Sequence, residues 1–174
     1  MAAPQTLSEC CISGHLHEGT PEGLTTRIVG LDAYEAWPAN KSKAKTILFI
    51  TDIFGWTLPN ARLLADEFAR AGFYVIMPDF FSGDPISTDY LNTIVPRKPD
   101  EVSAVEKVAN SAATAGIFGP WLLRHREGVS RPLIDTVLNA LHDDTDIVKR
   151  GAIGFCWGGR YAVLAGSGEN PQVE

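Results

Sequence analysis

Long apolar runs are missing from this 174-residue sequence. None approaches the roughly 20 consecutive apolar residues that a membrane-spanning helix needs, so no membrane association is expected. Positive charge is also in short supply, since 15 Lys and Arg against 21 Asp and Glu leave a formal charge of −6. Nucleic acids and anionic lipid surfaces call for a basic patch, and both are excluded as expected partners on that ground. Cysteine is scarce, with Cys10, Cys11 and Cys156 too few and too unevenly placed for a disulfide framework. The adjacent Cys10 and Cys11 lack a second Cys or His pair at zinc spacing, so no metal and no cofactor are expected. The opening Met1-Ala2-Ala3-Pro4-Gln5 has none of the basic-then-apolar layout of a secretory signal, which makes the cytoplasm the expected compartment. Internal repeats and low-complexity tracts are absent as well. What is present is a chain long enough for one domain, residues 1–174, with ample apolar content for a core.

Residues 1–24 read as an irregular lead-in rich in Gly, Thr, His and Glu. Residues 25–37 alternate enough for one or two edge strands. Residues 46–51 form a short apolar run with β-branched members, as in a strand buried on both faces of a parallel sheet. Asn60 is placed to cap a helix running to about Ala71, with Leu64 and Phe68 on one face and Gly72 as its terminator. Residues 74–77 give the next buried strand, stopped by Pro78. That strand–helix–strand order is a βαβ unit and implies a parallel sheet. Residues 84–130 are less regular and carry four prolines, with one helix expected over 100–113. Such an excursion is read as a cap-like wall over the strand ends. Ser130 is expected to cap a helix with Pro132 in its first turn and Ile134, Val137 or Leu138, and Leu141 facing inward. Residues 149–155 give a further strand, and a helix from Trp157 to about Gly166 follows.

Gly154-Phe155-Cys156-Trp157-Gly158-Gly159 fits the pattern G-x-nucleophile-x-G, with a cysteine where serine is usual. The nucleophile of such an elbow sits in strained backbone between strand and helix, and side chains at 154 and 158 would collide with both. An apolar strand before the motif, a helix after it and βαβ units upstream supply the context that the bare pattern lacks. A thiolate at Cys156 would gain from the N-terminus of the helix behind it. The bland alternative is a small buried residue behind a strand. Asp52-Ile53-Phe54-Gly55, at the end of the first central strand, falls where an α/β-hydrolase draws one oxyanion-hole amide. The candidate donors are therefore the main-chain N–H groups of Ile53 and Trp157. Asp52 itself is either a site carboxylate or a simple turn carboxylate.

These residues resemble the dienelactone hydrolase (carboxymethylenebutenolidase) family, and its fungal members in particular. The cysteine elbow, the Asp52–Gly55 segment, Pro78-Asp79-Phe80-Phe81-Ser82-Gly83-Asp84-Pro85 and the opening Cys10-Cys11 with Gly14, His17, Gly19, Pro21 and Gly23 all follow in the family's order. The resemblance implies an α/β-hydrolase fold, a mostly parallel sheet with helices on both faces. It also implies hydrolysis of a small lactone or ester through a cysteine nucleophile, Cys156, and an acyl-enzyme. In the bacterial type a glutamate before Ile-Phe-Gly takes part in thiolate activation; Asp52 occupies that place, one methylene shorter. The bacterial type also holds its substrate carboxylate with arginines, one just after the Pro-Asp segment, where this chain has Ser82 and Gly83.

The order in this fold is nucleophile, acid, histidine. Here no histidine follows Cys156, and Glu169 and Glu174 are the carboxylates beyond Arg160. The expectation is thus a fold cut short after the nucleophile helix, lacking its C-terminal strands and the triad Asp and His, with an exposed sheet edge that weakens it or makes it associate. His15, His17, His125 and His142 lie upstream and read as surface or capping residues. Two alternatives stand beside the hydrolase: an inactive family member, and a binding module that uses Cys156 as a redox thiol.

Overall fold

Residues 18–94, 102–167 and 171–173 are described in the computed structural model of the chain. Cys10, Cys11, Gly14, His15, His17, Pro96, Pro99, Glu169 and Glu174 lie outside the described residues. The described chain falls into two units, residues 86–124 and the remainder.

The larger unit is built on a five-stranded sheet. Its strands are β1 (Leu24–Ile28), β2 (Leu31–Ala36), β3 (Lys45–Ile50), β4 (Tyr74–Pro78) and β5 (Lys149–Gly154), in the order β1-β2-β4-β3-β5. β4, β3 and β5 run parallel, while β1 and β2 add to β4 as an antiparallel ribbon. The sheet is therefore mixed. Only β1 is the edge strand expected of residues 25–37, because β2 is paired on both sides. The side chains alternate with period 2, as a sheet covered on both faces requires. Ala33, Leu48, Ile50, Tyr74 and Ile76 face one cluster, and Tyr34, Ala36, Phe49, Val75 and Met77 face the other.

Helix α1 (Pro59–Arg70) covers the second face with Ala61, Leu64, Ala65, Phe68 and Ala69. Pro59 occupies its first turn, where a missing N–H is harmless, so the N-cap is Leu58 and Asn60 sits inside the helix. Gly72 ends it in a left-handed conformation (φ 97°). The Phe73 amide donates to the Phe68 carbonyl at 3.1 Å and the Gly72 amide to Ala69 at 3.0 Å, a Schellman closure.

The first face is covered by the helices α4 (Glu127–Asp143) and α5 (Trp157–Ala165). Ile134, Val137, Leu138 and Leu141 of α4 are all buried, as the sequence pattern requires. The helix begins four residues earlier than expected, capped by Arg126, so Ser130 is an interior position and not a cap. Its hydroxyl donates to the His125 carbonyl at 3.2 Å.

The smaller unit holds a turn of 3-10 helix (Thr88–Tyr90), the short α2 (Leu91–Ile94) and α3 (Ala104–Arg124). The helix expected over 100–113 is longer than anticipated and continues through Pro120. Ser103 and Glu106 start it as a capping box, the Glu106 amide reaching the Ser103 hydroxyl at 3.2 Å and the Ser103 amide reaching the Glu106 carboxylate at 2.9 Å. Phe118 stacks on Trp121 within α3 and lines a cavity of about 570 Å³ with Ile94, Val102 and Thr114. No helix among the described residues is long and apolar enough to cross a membrane.

Candidate active site

β5 leaves the sheet at Gly154 and α5 starts at Trp157, so two residues make the whole turn. Cys156 takes φ 51° and ψ −112°, a left-handed conformation for a residue with a side chain. Such a conformation costs on the order of 1–3 kcal/mol and persists only when its surroundings impose it. They do so through two glycines. A Cβ on Gly158 would lie 2.6 Å from the Thr51 carbonyl oxygen and closer still to that of Ile50. One on Gly154 would lie 2.8 Å from the Gly159 nitrogen and closer to the Gly158 carbonyl. The Gly158 amide closes the turn on the Phe155 carbonyl at 2.8 Å.

The parallel register of β3 and β5 pairs Ile50 with Gly154. Two residues further along each strand stand Asp52 and Cys156, which brings the two candidate side chains to neighbouring strand ends. The Asp52 carboxyl accepts the Phe54 amide at 2.9 Å and also the Gly55 amide, the arrangement of a turn carboxylate. Burial pushes its pKa up, and those two amides oppose the shift. Ile53, the proposed donor position, is buried. Gly55 is left-handed at φ 79°, and a Cβ there would lie 2.9 Å from Pro85 and 3.6 Å from Phe81. The turn is thus packed down on residues that follow β4.

Cys156 is exposed as a residue, yet its thiol loses enough water for burial to push the pKa above its ordinary value. The Trp157 amide, directed at the sulfur, pulls the other way; the Asp52 charge pushes up again. Thiolate stabilisation by the helix N-terminus is therefore present but outweighed. Trp157 stands in an aromatic group, its indole 4.8 Å from Phe81 and 4.5 Å from Tyr161 between centroids.

The expectation for His125 needs correction. It is 7% exposed, with Nε2 3.0 Å from Asp84 Oδ2 and its ring edge-on to Phe81 at 5.1 Å. Sequence gave no signal for this, because Asp84 and His125 are 41 positions apart. His142 is exposed in the last turn of α4, as expected. Among the described residues no group of three His, Cys, Asp or Glu side chains could hold a metal ion.

A model of the dienelactone hydrolase family matches residues 31–174. The hydrolase pyvD of Aspergillus violaceofuscus is 33% identical over 156 residues, covering 90% of this chain and 55% of that protein. A carboxymethylenebutenolidase homolog of Xenopus tropicalis is 33% identical over 149 residues, covering 86% of this chain and 51% of that protein. The crystal structure of a dienelactone hydrolase-like promiscuous phosphotriesterase, P91 from metagenomic libraries, aligns with a TM-score of 0.45 at 18% identity, over 83% of this chain and 52% of that one. The chain spans about half the length of the curated relatives it matches.

Proposed function

The chain belongs to the dienelactone hydrolase family, and from that premise we propose that it hydrolyses a small lactone or ester through Cys156. The observation that carries this reading is the strained, glycine-enclosed turn that presents Cys156 at a helix N-terminus with the Trp157 amide on its sulfur. The thiolate sulfur attacks the carbonyl carbon, and the oxyanion that forms is met by the main-chain N–H groups of Ile53 and Trp157. Collapse of that intermediate expels the ester oxygen and leaves a thioester on Cys156. Water then releases the acid and restores the thiol. Asp52 is the proposed acceptor of the thiol proton, a role supported by the neighbouring ends of β3 and β5, by the Asp52 charge felt at the thiol and by a carboxyl made more basic through burial. With Ser82 and Gly83 in place of an arginine, a substrate without a carboxylate of its own fits better than dienelactone.

The raised thiol sets the pH dependence. A free cysteine near 8.5 is only a few per cent ionised at neutral pH, and burial makes that fraction smaller here. The thiolate grows as pH rises through the shifted value, so hydrolysis should increase with pH beyond about 8.5. The same shift counts against a redox thiolate, which needs a depressed pKa. The test is hydrolysis of p-nitrophenyl acetate by wild type and Cys156→Ala, with mass spectrometry for a single acyl group on Cys156. Loss of both signals in the variant is expected. An acylated wild type absent at every pH, or a variant as fast as wild type, removes the proposal in favour of an inactive family member.

A further inference from the structure

His125 is a polar ring among aromatic ones. A buried imidazole must find a hydrogen-bond partner or lose the energy of its solvation, so an apolar residue would fill the space more cheaply if filling were all that mattered. Its backbone is tied into the start of α4 through Ser130, which needs only the carbonyl. The ring is held separately. A carboxylate can only accept, so Nε2 carries the hydrogen and donates it to Asp84 Oδ2. Asp84 is 46% exposed at its side chain and His125 8%, so the carboxylate reaches in from the surface to fix a buried ring.

That ring meets Phe81 edge-on at an interplanar angle of 70°, and Phe81 meets Trp157 edge-on at 64°. Phe81 is 2% exposed. Its own turn is pinned by the Asp79 carboxylate, which accepts the amides of Phe81 at 3.0 Å and Gly83 at 2.7 Å. Edge-to-face contacts are directional, so a ring whose plane is set transmits that setting to the next. Trp157 is the last member, and its amide faces the sulfur of Cys156. The chain leaves the larger unit after Pro85 and re-enters it at His125, so the bond also joins the two ends of the excursion on the larger unit's own side.

We propose that Asp84 and His125 form a positioning pair for the elbow: their hydrogen bond sets the His125 ring, which through Phe81 anchors the Trp157 indole and with it the first turn of α5. The proposal rests on the reading of Cys156 as nucleophile. The full chain and its variants His125→Ala, His125→Gln and Asp84→Ala are compared by kcat and KM for p-nitrophenyl acetate. Iodoacetamide alkylation across pH is read at Cys156 by peptide mass spectrometry. His125→Ala and Asp84→Ala lower kcat about tenfold with little change in KM, short of the roughly 10²–10³-fold cost of losing an oxyanion donor outright. Both also slow Cys156 alkylation at pH 8 about threefold, since a displaced Trp157 amide stabilises the thiolate less. His125→Gln, whose amide nitrogen can still donate to Asp84, recovers most of both. Folded variants with lower melting temperatures but wild-type kcat and alkylation profiles would show a merely structural pair and overturn the inference. If His125→Ala does not fold, the more exposed Asp84→Ala carries the comparison. If Cys156→Ala leaves hydrolysis intact, the nucleophile reading fails by itself, and the alkylation profiles still decide the pair.

Discussion

A carboxylate beside a thiol has two opposing effects, since its charge holds the thiol protonated while its lone pairs can take the proton away. The Asp52 charge exerts the first at Cys156, and the second is the role proposed for it. Asp52→Asn keeps an oxygen for the Phe54 and Gly55 amides and removes the charge, so the turn should survive. The thiol pKa then falls, and alkylation of Cys156 at neutral pH should rise roughly threefold, equivalent to about half a pKa unit. If Asp52 is also the proton acceptor, ester hydrolysis falls in the same variant. Faster alkylation with slower hydrolysis is the expected pair; unchanged hydrolysis would reduce Asp52 to a turn residue. The position of Cys156 at the apex of a strand–helix turn was legible from spacing, because an elbow's geometry demands its glycines at fixed offsets, whereas spacing left Asp52 open between a site and a turn carboxylate. The direction of the thiol shift was not legible. It depends on how much water the neighbouring strand end and aromatic rings exclude, and no local pattern reports that.

The elbow as an element offers a paired test in adjacent glycines. Gly158→Ala drives a methyl into the backbone of β3 at Ile50 and Thr51, where nothing flexible can yield. Gly159→Ala meets the Gly154 carbonyl oxygen at 3.5 Å, an ordinary contact. Overpacking should cost the first variant about 1–3 kcal/mol or more, whereas the second, a Gly→Ala change inside a helix, should be neutral or gain up to about 1 kcal/mol. Urea unfolding of the two variants checks this, and equal stability would mean that the turn is looser than its geometry implies. Among the other elements, β3 and β4 were readable because a strand covered on both faces must be apolar nearly throughout, whereas β5, an edge strand without a buried residue, was read from its place before the elbow. Helix starts were less readable. Pro59 took the first turn ahead of Asn60, and α4 ran on past Ser130 and Pro132 because Ile134, Val137, Leu138 and Leu141 hold it against the sheet. The helix expected from residue 100 starts instead at Ala104, where the Ser103–Glu106 box is the local signal that the reading of 100–113 passed over.

At the scale of the molecule, two buried phenols tie the sheet to what surrounds it. Tyr34 of β2 donates to Asp66 of α1 at 2.6 Å and accepts the Gly23 amide at 2.6 Å, so the lead-in, a strand and a helix meet at one oxygen. Tyr74 of β4 donates to Glu35 of β2 at 2.9 Å. Burial raises both phenol pKa values, and hydrogen bonds to the carboxylates raise them further. In the unfolded chain each would ionise near 10, so above about pH 10 the unfolded state has lost protons that the folded state keeps, and stability falls as pH rises. The urea midpoint should decline through that range, and Tyr74→Phe should flatten the decline; a flat wild-type profile would contradict the burial. The sequence by itself determined the order of strands and helices around the elbow and the residue that stands at its apex, because those follow from periodicity and from glycine spacing, which are local; the family came from the resemblance of its motifs, and the family model over residues 31–174 bears it out. The tertiary structure alone decided that the ends of β3 and β5 bring the Asp52 charge within reach of the Cys156 thiol, that burial pushes that thiol up, and that His125 packs on Phe81 while bonded to Asp84. Each of these joins residues tens of positions apart, and only the sheet register and the packing of its two faces bring them together.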